Sequence, residues 1–497
     1  MTITDLITYC NPIAHTRGTA PLTGVLRDDS RTVEPGDLFI AIKGHAADGH
    51  DFIPQAVQRG ASVIITEKEV ETTGDHITWL QVSSTRELAG PLAHQLLGNP
   101  AQQLHMIGVT GTNGKTTVAT LIWQALTKLG KAASLLGTVE KRVLTEKVES
   151  RLTTSGPAEL ALDIASMAKA GSGYLVMEVS SHALDQHRTA GIPFSTAIFT
   201  NLSLDHLDYH RTMDAYAEAK KRLFNGLSKH ATAITNVSDP YGRFMISDTN
   251  AQLHRTGFVH DGDDDAAAIE ILSSDETGMV LRVGADTIET PLIGRFNAMN
   301  VAQAFLALRS LGFTPSQAAS ALAASSGAPG RLERVTAGDT AYRQPVVLVD
   351  YAHTPDALKN VLKTLKGFKK PGQQLIVVFG CGGDRDTSKR PAMAAIAELY
   401  ADEIVVTSDN PRTEDPEQII DDIFAGFKEP KKIRSITSRR DAIREAIRIA
   451  DAGDIVLIAG KGHETYQEIN GERHHFDDRE EARKALSNRN GNHAGVA

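Results

Sequence analysis

The stretch GVTGTNGKTT, residues 108–117, limits most tightly what its surroundings can become. Met106, Ile107 and Val109 supply a strand on one side, while Val118, Leu121, Ile122, Ala125, Leu126 and Leu129 recur at helical spacing on the other. A strand that passes through a glycine-bearing loop directly into a helix is half of a βαβ unit, whose crossover makes the next strand parallel. Gly111 and Gly114 let backbone N–H groups converge on phosphate oxygens without Cβ obstruction, and the helix adds its positive end. Lys115 then neutralises the terminal phosphates, and the hydroxyl of Thr116 reaches Mg²⁺. Val109 stands where the strict phosphate-loop pattern has its first glycine, so the loop is a variant.

The rest of the chain repeats the same alternation. Apolar runs of four to seven residues, rich in Val and Ile, are separated by helical patterns, which reads as α/β. With 497 residues, about three domains of ordinary size are expected. A first block, with DLFIAIKG and ASVIITE, closes at the breaker LLGNP, and a second runs from LHMIGVT to GAPGRLE. The reading is therefore three domains, 1–100, 101–332 and 333–497. In the third, PVVLVDYAH, QLIVVFGCGGDRD, EIVVTSDNPR and DIVLIAGKGHE each end in a polar or Gly-rich cluster. In a parallel sheet such clusters gather where ligands bind. HDGDDDAAA, residues 260–268, reads as an acidic surface turn, and SNRNGNHAGVA, residues 487–497, as a loose tail.

Composition excludes several classes. A net charge of −9 argues against nucleic-acid binding, and no run of 18 apolar residues offers a membrane span. Cys10 and Cys381 alone make neither a disulfide framework nor a cysteine zinc site, and a cytoplasmic location fits. GCGG at 380–383 does not make a dinucleotide fingerprint, because Arg385 stands where the third glycine belongs.

Phosphate binding alone does not name a reaction. YLVMEVSSHALDQHR, residues 174–188, and AIFTNLSLDHLDYH, residues 197–210, are strands emerging into acidic and imidazole residues. Glu178 at a strand end suits Mg²⁺, a hard cation that takes oxygen ligands, and His206 could serve a second metal.

TGTNGKTT, MEVSSHALDQHR, FTNLSLDHLDYH, GRFNAMN, PGRLERV and VDYAHTPDALKN resemble, in this order, the Mur ligases of peptidoglycan synthesis. The resemblance covers nearly the whole chain. It implies an N-terminal domain for a uridine nucleotide, a central P-loop ATPase domain with a mainly parallel sheet, and a C-terminal Rossmann-like domain admitting an amino acid. ATP would phosphorylate a substrate carboxylate, and an amine would attack the acyl phosphate. Gly111, Thr112, Asn113, Gly114, Lys115, Thr116 and Thr117 are the expected ATP loop. Asn300, Arg331 and Asp350 would complete the ATP site, so that the C-terminal domain closes onto the nucleotide during turnover. Lys220 matches a lysine that family members carry as a carbamate, which would present oxygens to Mg²⁺ beside Thr116, Glu178 and His206. Without the resemblance, Lys220 reads as a solvated helix lysine like Lys221.

Within the family the chain is most similar to members that add the third amino acid to UDP-N-acetylmuramoyl-L-alanyl-D-glutamate. Asp28, Ser30, His45, Ala46 and Ala47 match the uridine-nucleotide site, and Thr153, Thr154, Ser180, Gln186 and Arg188 match positions holding the muramoyl dipeptide. Leu152 and Ser155–Gly156, flanking the two threonines, depart from the usual pattern there. Arg385, Asp409, Asn410, Pro411, Arg412, Gly460 and Glu464 match the amino-acid site. Members adding meso-diaminopimelate resemble DNPR, whereas lysine-adding members usually lack that arginine. A guanidinium pairs with the second carboxylate of diaminopimelate, where lysine has an ammonium instead. The mismatch costs at least ~1.5 to 3 kcal/mol, tenfold or more. A lysine-adding relative and a folylpolyglutamate-type ligase remain the alternatives, and a non-catalytic ATP switch would need only the loop. A monomer is expected.

Overall fold

The chain's computed structural model describes residues 1–44, 47–69, 76–148, 152–259, 266–337 and 344–493, with side chains to 489. His45 and Ala46, and residues 260–265 of the acidic turn, lie outside these residues. Two compact units emerge, the first from residues 1–270, 283–286 and 299–324, the second from 271–282, 287–298 and 325–497. No helix among the described residues is long and apolar enough to cross a membrane.

The first unit contains two sheets. β1 (Ala14–Thr16), β2 (Leu26–Arg27), β3 (Leu38–Ile40), β4 (Val63–Thr66) and β5 (Thr78–Gln81) pair in the order β1-β5-β4-β3-β2, parallel except at β1. β3 and β4 are buried on both faces, which is why DLFIAIKG and ASVIITE are continuous apolar runs rather than alternating ones.

The second sheet is built on β6 (His105–Thr110), β7 (Ala133–Leu136), β8 (Lys141–Val143), β9 (Glu146–Val148), β10 (Tyr174–Glu178), β11 (Thr196–Phe199), β12 (Thr232–Asn236) and β13 (Gln252–Phe258). Their order is β13-β12-β11-β6-β10-β7-β8-β9, all parallel but for the β7-β8-β9 meander. β14 (Ala267–Asp275) pairs with β13 and already holds Ala267 and Ala268 of the presumed acidic turn. β15 (Gly278–Val283) and β16 (Asp286–Thr290) follow. The helix Lys115–Lys128 buries Val118, Leu121, Ile122, Ala125 and Leu126, the face its spacing predicts, and Leu129 caps its C-terminus. Since β6, β7, β10, β11 and β12 run in parallel, Thr110, Leu136, Glu178, Phe199 and Asn236 all end at one edge of the sheet.

In the second unit, β17 (Glu333–Val335), β18 (Val346–Asp350), β19 (Leu375–Phe379), β20 (Glu403–Val406), β21 (Arg434–Ser435) and β22 (Ile455–Ala459) pair in the order β17-β18-β22-β19-β20-β21. Only β17 is antiparallel. The four polar clusters following β18, β19, β20 and β22 therefore share one edge. β23 (Tyr466–Ile469) and β24 (Glu472–His475) form a hairpin beyond it. Residues 487–493 are not a loose tail. The helix Asp478–His493 includes them, and Arg489 donates to the carbonyls of Ile447 and Ala450, satisfying the C-terminal end of the helix Arg439–Ile449.

Candidate functional site

In the first unit the site grows from the β6 loop. Gly111 has φ +149° and Gly114 has φ +88°, and a Cβ on either would lie 1.9 Å from Thr200 Oγ1 or 2.6 Å from Asn300 Oδ1. Only glycine fits. The loop is braced by the end of β11: Thr112 N donates to Asn201 O (2.8 Å), Asn113 N to Asn201 Oδ1 (2.9 Å), and Thr200 Oγ1 to Asn113 O (2.6 Å). Gly114 is the N-cap of the helix and, as a glycine, offers its first N–H groups no capping side chain of its own, and Thr116 and Thr117 are buried in its first turn.

Two lysine side chains meet at this loop. Lys115 Nζ donates to Gly111 O and Thr112 O (both 2.9 Å), and Lys220 Nζ also donates to Gly111 O (2.8 Å). Lys220 is fully buried on the inner face of the helix Met213–Asn225, 4.5 Å over the Tyr216 ring. Burial, then the charge of Lys115, holds its pKa well below the usual 10.5. It is not a solvated lysine, and neither is Lys221, which is buried, pairs with Asp248 and lies over Phe244.

His206 begins the short helix Leu207–His210 at φ +53° and packs its ring edge-on against His182 (4.8 Å) and Tyr216 (6.0 Å). Burial, with Lys115 and Lys220 acting the same way, lowers its pKa; this favours the neutral imidazole a metal requires. His182 is lowered to about 4, chiefly by burial.

Glu178, buried at the end of β10, accepts from Thr116 Oγ1 (3.0 Å), Thr138 N (2.8 Å) and Thr138 Oγ1 (3.1 Å). The oxygen pair of Thr116 and Glu178 beside a phosphate loop has the chemistry of a Mg²⁺ site. No group of three His, Cys, Asp or Glu side chains among the described residues could hold a metal.

The predicted dipeptide residues adjoin Glu178. Thr138 Oγ1 donates to Thr153 Oγ1 (2.9 Å), Thr154 Oγ1 to Glu178 O (3.0 Å), and Ser180 N to Thr154 Oγ1 (3.2 Å). Arg188 donates twice to Gln186 Oε1 (3.0 and 2.6 Å) and once to Thr154 O (3.0 Å). A Cβ on Gly156 would stand 2.8 Å from Asp28 Oδ2, so Asp28 reaches this group, its pKa raised by burial. Ser30 donates to Gln55 Oε1 (2.6 Å), and Ala47 O accepts from Gly44 N (2.9 Å), neither touching the dipeptide residues.

The second unit gathers the remaining candidates. Asp350, at the end of β18, accepts from Leu332 N (2.7 Å) and Ala352 N (2.8 Å). Burial raises its pKa and the Arg331 charge opposes the rise; the Arg331 guanidinium lies 4.7 Å over Tyr351. Gly460 N donates to Asp350 O (3.0 Å), while a Cβ on Gly460 would stand 2.4 Å from Asp409 Oδ2. Asn410 Nδ2 donates to Glu464 Oε2 (2.9 Å). Arg412, at φ +51°, donates to Gly383 O (2.7 Å), its Nε 3.7 Å from Glu468. Gly383 N donates to Asn410 O (2.9 Å), and a Cβ on Gly383 would meet Pro411 O. Arg385 is exposed beside Gly382.

Three Mur ligase family models match successive parts of the chain: the Mur ligase family catalytic domain over residues 25–96, the Mur ligase middle domain over 109–308, and the Mur ligase glutamate ligase domain over 330–462. The UDP-N-acetylmuramoyl-L-alanyl-D-glutamate–2,6-diaminopimelate ligase of Phocaeicola vulgatus is 41% identical over 464 residues, covering 93% of this chain and 94% of that protein. The chain belongs to the Mur ligase family. A Bacteroides thetaiotaomicron protein with the same name is 40% identical over 97% of this chain and 98% of its own length. A solved structure of a ligase so named matches with TM-score 0.69 and 36% identity, over 94% of this chain and 95% of that one.

Several residues that hold these candidates in place escape a reading of motifs. Thr138, Thr200 and Asn201 brace Glu178 and the loop from strand ends 40 to 89 residues away, contacts only the parallel sheet creates. Tyr216 lies under Lys220 four residues along the same helix, a spacing that sequence carries. Arg439 is fully buried, paired with Asp478 (2.7 Å) and 3.9 Å from Asp409. Lys461, inside GKGHE, is buried and donates to Asn410 and Glu464.

Proposed function

We propose that the chain joins meso-diaminopimelate to UDP-N-acetylmuramoyl-L-alanyl-D-glutamate in peptidoglycan precursor synthesis, with ATP converted to ADP and phosphate. The observation that carries this reading is identity near 40% over more than nine-tenths of the chain to ligases named for 2,6-diaminopimelate. Substrates of this kind put the reaction in the cytoplasm. We assign residues 1–100, 101–332 and 333–497 to the uridine-nucleotide, ATP and amino-acid domains; the three sheets fall within these spans.

The carboxylate of the dipeptide attacks the γ-phosphorus of ATP, the bond to ADP breaks, and an acyl phosphate forms. The amine of diaminopimelate then adds to the acyl carbon, phosphate leaves from the tetrahedral intermediate, and the nitrogen loses its proton to complete the amide. Two anions must approach in the first step, so positive charge has to be concentrated around them. Lys115 exchanges its contacts with Gly111 O and Thr112 O for the terminal phosphates, and the N–H groups at the helix N-terminus after Gly114 hold the others. Thr116, Glu178, His206 and the carbamate of Lys220 would hold Mg²⁺, which supplies further charge at the phosphate oxygens. Carbamate formation needs a neutral amine, and burial beside Lys115, which lowers the Lys220 pKa, favours that form; nitrogen bonds to the carbon of CO₂ and releases a proton. Thr154, Gln186 and Arg188 orient the dipeptide, and Arg412 with Asp409, Asn410 and Glu464 receives the distal end of diaminopimelate.

Phosphate release is measured with ATP, Mg²⁺ and the UDP-muramoyl dipeptide while meso-diaminopimelate, lysine or glutamate is added. Release with diaminopimelate alone is expected. Release with lysine and not diaminopimelate refutes the specificity, and release without any amino acid favours a plain ATPase.

A further inference from the structure

The segment after β22 contains a lysine with no role in the reading above. Lys461 is fully buried, and its Nζ donates to Asn410 Oδ1 (2.9 Å) and Glu464 Oε2 (3.1 Å), with the Tyr466 ring 5.5 Å away. A buried ammonium persists only when its charge and protons are matched. Here both matching groups belong to the amino-acid cluster. Asn410 is turned one way by this arrangement: its Oδ1 receives Lys461 Nζ and Glu468 N (3.0 Å), so its Nδ2 faces Glu464. The described side-chain hydrogen bonds to the Glu464 carboxylate all end on Oε2. One oxygen is thereby anchored, and with it the plane of the carboxylate.

We propose that Lys461 is a positioning residue for the incoming amino acid: from behind, it locks Asn410 and Glu464 in the orientation that receives an amino-acid terminus. The inference rests on reading this cluster as the diaminopimelate subsite. Lys461 itself is fully buried, with its Nζ spent on Asn410 and Glu464, and is given no part in bond making.

Steady-state phosphate release is compared for the full-length enzyme and for Lys461→Met and Lys461→Gln. Loss of a charge-assisted anchor is expected to raise KM for meso-diaminopimelate about ten- to a hundredfold in Lys461→Met. KM for ATP and for the UDP-muramoyl dipeptide stays within about twofold, because uniform weakening of one subsite leaves the others alone. Lys461→Gln, which keeps a donor in reach of Asn410 and Glu464, recovers part of the loss. An unchanged KM for diaminopimelate in both variants overturns the proposal. So does a parallel rise in all three KM values, or failure of both variants to fold, since either makes Lys461 a support of the whole domain. Absence of diaminopimelate-dependent release by the unsubstituted enzyme overturns the functional reading instead, and the inference with it.

Discussion

Lys220 shows how little a residue's type says without its surroundings. In the sequence it is one of two adjacent helix lysines, and only the family resemblance separates it from Lys221. The helix period explains why: both fall on the inward half of Met213–Asn225, but Lys221 meets Asp248 at the rim, whereas Lys220 ends under the phosphate loop. Its pKa is held down in the folded state, so the native protein releases a proton that the unfolded chain keeps. Stability of the uncarbamylated enzyme therefore rises with pH from that lowered value up to 10.5, and Lys220→Met should remove the rise in urea titrations at several pH values. Catalysis gives a second readout. Lys220→Ala is expected to lower kcat by about a hundredfold or more, and bicarbonate should stimulate the unsubstituted enzyme but not the variant. Arg412 poses the specificity question at the same scale. Arg412→Ala should raise KM for meso-diaminopimelate at least about tenfold while KM for ATP is unchanged in the same assay.

At the scale of elements, the loop between β6 and its helix is the most legible part of the molecule, because its signal is local: two glycines, a lysine and three threonines within seven residues. The reason for each glycine lies in its neighbours. Gly114 combines φ +88° with a Cβ position 2.6 Å from Asn300 Oδ1, so Gly114→Ala carries backbone strain of about 1 kcal/mol or more and displaces Asn300 as well. KM for ATP is expected to rise about tenfold or more, with thermal stability falling by only a few degrees, as read by nucleotide titration and melting curves. The partners that hold Glu178 and Asn113 were not legible, since Thr138, Thr200 and Asn201 are ordinary polar residues until parallel pairing brings their strand ends together. The last helix was misread for a related reason. Asn, Arg and Gly from 487 on look like a disordered tail, yet Arg489 has carbonyls of a neighbouring helix to satisfy.

For the molecule as a whole, alternating apolar runs and helical patterns announced parallel sheets, and the breaks near residues 100 and 332 fall between successive sheets. What the pattern could not announce is interleaving: segments 271–282 and 287–298 belong with residues 325–497, although they precede them in the chain by way of 299–324. A chain with two such units need not melt in a single step, and a ligand stabilises the part that binds it. ATP with Mg²⁺ at a hundredfold excess over its Kd is expected to add about 2.7 kcal/mol to the part holding the phosphate loop. Calorimetry should accordingly show one transition moving upward with ATP, by an amount that grows with the logarithm of its concentration. Lys115→Met should abolish the movement while leaving the melting of the unliganded protein nearly in place, because Lys115 spends its hydrogen bonds on loop carbonyls rather than on the core. If ATP moved no transition, or moved it equally in Lys115→Met, the loop would not be where the nucleotide's phosphates are held.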